Sequence, residues 1–197
     1  MPDYTDLAPL IRGLADADPA RRASAAAEIF QRGSKLARAA TQQWFADAEF
    51  AACLVRGRDG LPELTVGVAV EPDTFERIRT ASGLPCLADV PPDQDAKEFE
   101  LDFPGGARLD VLTTREPGGS GAIARYLQRF GEGIQQIEIA ALNADRATEI
   151  LRTRFGLAPI YPATRPGADG TRVNFFLVPG PDRKKLLIEL VESSAKS

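Results

Sequence analysis

Two carboxylates stand in stretches that are otherwise apolar. Glu189 lies in Lys185-Leu186-Leu187-Ile188-Glu189-Leu190-Val191, and Asp110 lies in Arg108-Leu109-Asp110-Val111-Leu112. A carboxylate buried without a partner among Leu, Ile and Val is costly. Such a residue is functional, paired or metal-bound, or it sits on the solvated face of an edge strand. The chemistry open to it is bounded by a missing residue type: the 197 residues include no histidine. That excludes Ser-His-Asp and Cys-His catalysis, imidazole general bases and imidazole metal ligands. What remains is carboxylate, amide, hydroxyl, Arg and Lys chemistry. Cys53 and Cys86 show no CxxC spacing and read as two buried free thiols, with a structural disulfide as the alternative.

The elements that must position these groups come next. Residues 4–46 read as helical, with Leu7, Leu10, Ile11 and Leu14 at helical spacing. Asp18-Pro19 reads as an N-cap followed by Pro at the first helical position. A long Ala-rich helix then carries an apolar stripe of Ile29, Leu36, Ala40 and Trp44, with a kink expected at Gly33. Beyond it the spacing predicts strands at 51–55 and 63–70, a helix at 72–81, and strands at 96–103 and 108–113 joined by Pro104-Gly105-Gly106. A helix follows at 122–130. The order then repeats: a strand at 135–141, a helix from the Asn143 cap to Arg154, and strands at 159–163, 171–178 and 185–191. The domain reading is a helical extension over residues 1–60 and one domain over 61–197, with repeats at about 63–131 and 132–192. The fold class is α+β, two tandem βαβββ repeats with the N-terminal helical extension.

Alternation assigns the strand faces. Val66, Val68 and Val70 share one face of the first strand, and Thr65, Gly67 and Ala69 share the other. In the repeat, Ile137 and Ile139 oppose Gln136, Glu138 and Ala140. In each case a β-branched face suits packing under helices, and a small or polar face suits a cleft. Thr65, Asp110, Gln136 and Glu138 are therefore candidate ligand-binding residues, and an arginine such as Arg172 is a candidate partner for the carboxylates.

These stretches resemble the vicinal oxygen chelate superfamily of glyoxalase-like proteins, and within it the methylmalonyl-CoA epimerases. The resemblance covers about residues 63–192. It rests on Thr65-Val66-Gly67-Val68-Ala69-Val70, Gly121 to Leu127, Gly131 to Ile137, and the run from Arg165-Pro166-Gly167-Ala168 through Asn174-Phe175 to Leu187-Ile188-Glu189-Leu190-Val191-Glu192. It implies a divalent metal between the repeats, with ligand places at Thr65, Asp110, Gln136 and Glu189. Two of those places hold histidine in the epimerases, and here they are Thr65 and Gln136. It also implies a glutamate base after a Pro-x-Gln turn; Pro92-Asp93-Gln94 nominates Glu98, with Glu189 as its partner. Homodimerisation is a further expectation of the resemblance.

Without imidazole, no metal of the family's type is expected and no cofactor is assigned; a hard metal (magnesium, manganese or calcium) on Asp110, Gln136 and Glu189 is the alternative. Three functions stay open. One is a small-molecule-binding protein, its ligand an acyl-CoA or related carboxylate, that has lost the metal and is non-catalytic or repurposed. Another is an epimerase-type or isomerase-type enzyme moving an α-proton with Glu98 and Glu189. The third is an interaction module using the N-terminal helices.

The net charge of −4 argues against nucleic acid and anionic membranes as partners. The chain has no apolar run of membrane-spanning length and residues 1–15 do not read as a signal peptide, so a cytoplasmic location is expected. Gly118-Gly119-Ser120-Gly121 before a helix reads either as a capped turn or as a phosphate cradle. Residues 165–170 read either as a lid or as a hairpin connection.

Overall fold

The computed structural model describes residues 7–57, 59–180 and 185–193. Helices α1 (Ala8–Gly13) and α2 (Pro19–Ala46) open the chain. The Asp18 carboxylate accepts from the Ala20 N–H at 2.9 Å, as the capping signal requires. Gly13 lets the two helices close up, since a Cβ there would stand 2.9 Å from the Ala25 Cβ. Helix α2 runs through Gly33 as one 28-residue element.

The chain divides into two compact units. The first joins the residues up to Gly33 with Thr65–Gln135, and the second joins Ser34–Leu64 with the residues from Gln136 onward.

In the first unit, β1 (Leu64–Ala69), α4 (Pro72–Ala81), β2 (Ala96–Phe103), β3 (Ala107–Thr114) and α5 (Ala122–Phe130) follow in order. Strand β1 runs parallel to β3, with Gly67 opposite Asp110, and β2 runs antiparallel to β3, with Glu100 opposite Asp110. The register puts Val66, Val68, Phe99, Leu109 and Val111 on one face, and all five are buried. Helices α4 and α5 both contact β3, and Phe75 meets Phe99 edge-on at 4.8 Å between ring centres. Tyr126 of α5 donates its hydroxyl to the Ile134 carbonyl at 2.8 Å, and burial pushes that hydroxyl up to about 12.

In the second unit, residues 47–63 differ from the expected strand. The stretch from 48 to 52 is a short helix, α3 (Ala48–Ala52). The Asp47 carboxylate accepts from the Glu49 and Phe50 N–H groups, which makes it an N-cap. Only an isolated bridge, Leu54 to Ala141, survives of the strand. Strand β4 (Gly133–Ala141) then leads to α6 (Ala144–Arg154), where the Asn143 side chain caps the Arg146 N–H. The expected strand at 159–163 is irregular, bounded by Pro159 and broken by Pro162, with one backbone bond from Ile160 N–H to the Phe175 carbonyl. Instead a two-residue strand β5 (Arg165–Pro166) pairs with β6 (Arg172–Pro179), which pairs with β7 (Lys185–Glu192). Strand β7 runs parallel to β4, with Glu138 opposite Glu189.

Trp44 of α2 is 5% exposed and meets Phe50 and Phe176 edge-on at 6.0 and 6.5 Å. The apolar stripe of the helix is thus covered at its Trp44 end. Both cysteines are free thiols; Cys53 is buried, while Cys86 is exposed, contrary to expectation.

Candidate functional site

Each unit presents one helix-packed face and one face of mixed polarity. In the first unit, the register that pairs Gly67 with Asp110 and Leu112 with Glu98 places Thr65, Glu98, Glu100 and Asp110 on one face. Thr65 is 7% and Asp110 4% exposed. The turn expected before Glu98 is present as a 3-10 turn, Pro92–Gln94, ending on Asp95 in the left-handed region at φ 46°. The Asp95 carboxylate accepts from the Thr114 hydroxyl at 3.0 Å. It also lies against Gly121, the N-cap of α5, so closely that a Cβ there would fall 2.4 Å from its Oδ2. The start of α5 thus has a carboxyl group of the chain itself beside it, and Gly121 makes no side-chain cap hydrogen bond.

In the second unit, Gln136, Glu138 and Glu189 share a face. Glu138 and Glu189 are direct neighbours on parallel strands, an arrangement that like charges oppose. The Gln136 amide answers it. Its Nε2 donates to Glu189 Oε2 at 2.8 Å and to Glu138 Oε1 at 3.2 Å. An NH2 group carries two protons, one for each carboxylate. Gln136 and Glu189 are 7% and 8% exposed, so this is a largely dry contact.

Arg172 does not join them. It pairs across β6 and β7 with Glu192, on the alternate face from Phe175 and Glu189. Its guanidinium binds Asp145 at 2.5 Å, the Thr164 hydroxyl at 2.7 Å and Glu192 at 3.4 Å. The hydrogen bonds from Arg172 and Thr164 hold the Asp145 carboxyl below its usual range. Glu192 in turn caps the Ala144 N–H at 2.7 Å, so Arg172 serves the start of α6.

Lys185 shares the Glu189 face, and so does Arg165 of β5. Arg165 stands opposite Val173, and Val173 shares its face with Phe175, in register with Glu189. The Arg165 guanidinium lies 4.7 Å from the centre of the Tyr161 ring, and Tyr161 meets Phe175 edge-on at 6.0 Å. Residues 165–170 form a hairpin-type connection, closed by Gly167 N–H to the Thr171 carbonyl at 2.9 Å and Thr171 N–H to the Ala168 carbonyl at 3.0 Å. Sequence reasoning passed over Arg165 because it read residues 165–170 as a loop, and the face of Arg165 follows only from the pairing of β5 with β6. It likewise passed over Asp95 and Glu100.

No family model matches the chain, and no curated protein matches it. Solved structures do. The methylmalonyl-CoA epimerase of Mycobacterium tuberculosis is 30% identical, with a TM-score of 0.56 over 67% of this chain and 87% of that one. The chain belongs to the glyoxalase-like vicinal oxygen chelate superfamily. A variant of the Streptomyces coelicolor methylmalonyl-CoA epimerase, in complex with 2-nitronate-propionyl-CoA, is 25% identical with a TM-score of 0.53 over 66% of this chain and 93% of that one. A hypothetical protein from Bacillus halodurans, 23% identical with a TM-score of 0.54 over 68% and 94% of the two chains, shares the fold.

The α+β class and the N-terminal helices of this superfamily member are as expected. The two repeats differ at one edge: the second carries β5, and in the first the chain from Gly83 to Pro91 runs as a loop. Among the described residues no helix is long and apolar enough to cross a membrane.

Proposed function

We propose that this protein binds an acyl-CoA thioester or a related small carboxylate without the divalent metal of its superfamily, and does not epimerise it. The observation that carries the reading is the Gln136 amide, whose N–H groups point at Glu189 and Glu138. A metal at this place needs a lone pair from residue 136, and an amide N–H offers none. Turning the amide to present its oxygen would give up both hydrogen bonds. It would also take away the donor that Glu138 and Glu189, opposed on neighbouring strands, share at Gln136. The residues present therefore fit neither a histidine-seeking metal nor, as they are arranged, a hard one. In this reading Glu189 lines the ligand's surroundings, and neither it nor Glu98 moves a proton. The thioester class comes from the relatives, one of them solved with 2-nitronate-propionyl-CoA. A cytoplasmic homodimer, with residues 1–60 as a helical extension on the glyoxalase-like domain, accompanies the reading as an expectation of the family.

The test is calorimetric titration of methylmalonyl-CoA and propionyl-CoA into EDTA-treated protein, with proton NMR of the α-position in D2O. Binding in EDTA without α-proton exchange is the expected result. Failure of both thioesters to bind overturns the reading. So does exchange that appears on adding a divalent cation and vanishes in Glu189→Gln, which would restore the epimerase-type reaction.

A further inference from the structure

We propose that the outer edge of β2 is a docking site for a partner protein, taking an extended segment in which Lys or Arg alternates with apolar residues. The segment adds a strand to the sheet beside residues 100–103.

Strand β2 has β3 on one side and no strand on the other. In an antiparallel pair, successive residues turn their backbone groups alternately toward the partner strand and away from it. The Glu98 carbonyl accepts from the Ala88 N–H at 3.0 Å, which marks Glu98, Glu100 and Asp102 as the residues whose backbone groups point outward. Among the described residues, no backbone group meets Glu100 or Asp102 from that side. The second unit shows what closes the matching edge. Glu100 stands opposite Asp110 as Phe175 stands opposite Glu189, and the Phe175 carbonyl accepts from the Ile160 N–H at 2.7 Å. In the first unit the chain ahead of Ala88 is turned elsewhere. The Gly83 and Leu84 N–H groups bond the Thr80 and Arg79 carbonyls at 3.2 and 2.9 Å, and Arg79 Nε donates to the Pro85 carbonyl at 3.1 Å. Residues 83–85 are thus held to the end of α4, and the edge at Glu100 and Asp102 stays open to a strand.

The side chains along the edge select the occupant. Glu98, Glu100 and Asp102 share the face of Asp110, and Arg108 of β3 is the cation among them. Arg108 lies 3.4 Å from Asp102, whose side chain is still 77% exposed. Glu100 is exposed and stands directly opposite Asp110, a like-charge pair that a cation on the open side would relieve. The other face of β2 carries Leu101 and Phe103, both half-buried at the margin of the apolar layer. Lys97 is on that face too, exposed and at the far end of the strand. Because side chains alternate along a strand, a segment that sets Lys or Arg beside Glu100 and Asp102 sets its other residues beside Leu101 and Phe103. Apolar groups there extend the core outward. A second copy of β2 does not fit. Paired antiparallel about a two-fold axis, it sets carboxylate opposite carboxylate, since β2 carries no cation on its Glu100 face.

The probe is a fluorescently labelled octapeptide alternating lysine and valine, titrated with the full chain and read by anisotropy. A block peptide, all its lysines before all its valines, has the same charge and composition without the alternation. The alternating peptide is expected to bind at least about 10-fold tighter than the block peptide, a difference in the range of one charge-assisted hydrogen bond. Glu100→Lys should weaken it by about 10-fold or more. Glu149→Lys, the same change of charge on α6, should leave it unchanged. Glu100→Pro removes one outward N–H, keeps the bonds to β3 and should abolish binding. Should the proline variant fail to fold, the two lysine variants decide. Failure of wild type to bind the alternating peptide overturns the inference. So does equal affinity for the block peptide, or equal weakening by Glu100→Lys and Glu149→Lys, either of which would mean charge attraction without strand pairing. A dimer seen by light scattering that Glu100→Pro dissociates would put a second copy on this edge and overturn it as well.

Discussion

The two units use the same strand register to opposite ends. In the first, Asp110 stands opposite Gly67, so the buried carboxylate has a neighbour with no side chain. In the second, Glu189 stands opposite Glu138, and a third residue, Gln136, supplies the protons that let two carboxylates stay together. The antiparallel neighbours diverge as well. Asp110 faces Glu100 where Glu189 faces Phe175, which leads through Tyr161 to Arg165. A duplicated scaffold keeps its backbone pairing because the apolar face depends on it. The other face is free to change its chemistry one position at a time.

The largest effect should come from removing the aromatic that anchors α2 in the second unit. Trp44→Ala vacates a site bounded by Phe50 and Phe176 and should cost about 3–5 kcal/mol, read as a lowered denaturation midpoint. The comparison itself is sharpened by paired substitutions at Gln136 and Thr65. Gln136→Leu removes the shared donor from two opposed carboxylates and should cost about 2–3 kcal/mol. Thr65→Val, with no such pair to serve, should stay within about 1 kcal/mol. Equal costs would break the contrast between the two faces.

A fourth substitution probes the turn ahead of β2. Gly121→Ala must push Asp95 away from α5, at a cost of about 1–2 kcal/mol in thermal or denaturant melts. A neutral effect would mean that Asp95 has room to rotate.

The smallest effect is electrostatic. Hydrogen bonds from the Phe50 backbone and from Arg154 hold the Asp47 carboxyl below its usual range. Hydrogen bonds from Arg154 and Arg146 do the same for Glu49. A carboxylate with a depressed folded pKa adds stability above its unfolded pKa and loses it as pH falls through the folded value. The melting temperature should therefore fall below about pH 4–5, and Arg154→Met should flatten that decline while changing little at neutral pH. An unchanged acid slope in the variant would remove this cluster from the account of stability.

Much of the scaffold was legible because periodicity and punctuation agreed. The helix at 72–81 starts on a proline and stops before Gly83, and that at 122–130 lies between Gly121 and Gly131. The misreadings have local causes. Residues 51–55 look like an apolar strand, but Asp47 caps two N–H groups and turns the chain into α3 first. Ile160 and Tyr161 suggest a strand, but Pro159 and Pro162 limit the pairing beside β6. In the candidate site, alternation put Gln136 and Glu138 on one face, and the β4–β7 register sets Glu189 beside them. The choice of Arg172 failed because its pairing with Glu192 sets it on the other face from Glu189, and the face of Arg165 follows from its pairing with Val173.

The central claim is that the Gln136 amide, rather than a metal ion, holds Glu189. Elemental analysis of the purified protein, followed by manganese titration of wild type and Glu189→Gln, tests it most directly. The account predicts no stoichiometric cobalt, zinc or nickel, and no manganese binding that depends on Glu189. One tightly bound zinc or cobalt per chain, or manganese binding abolished by Glu189→Gln, would contradict it.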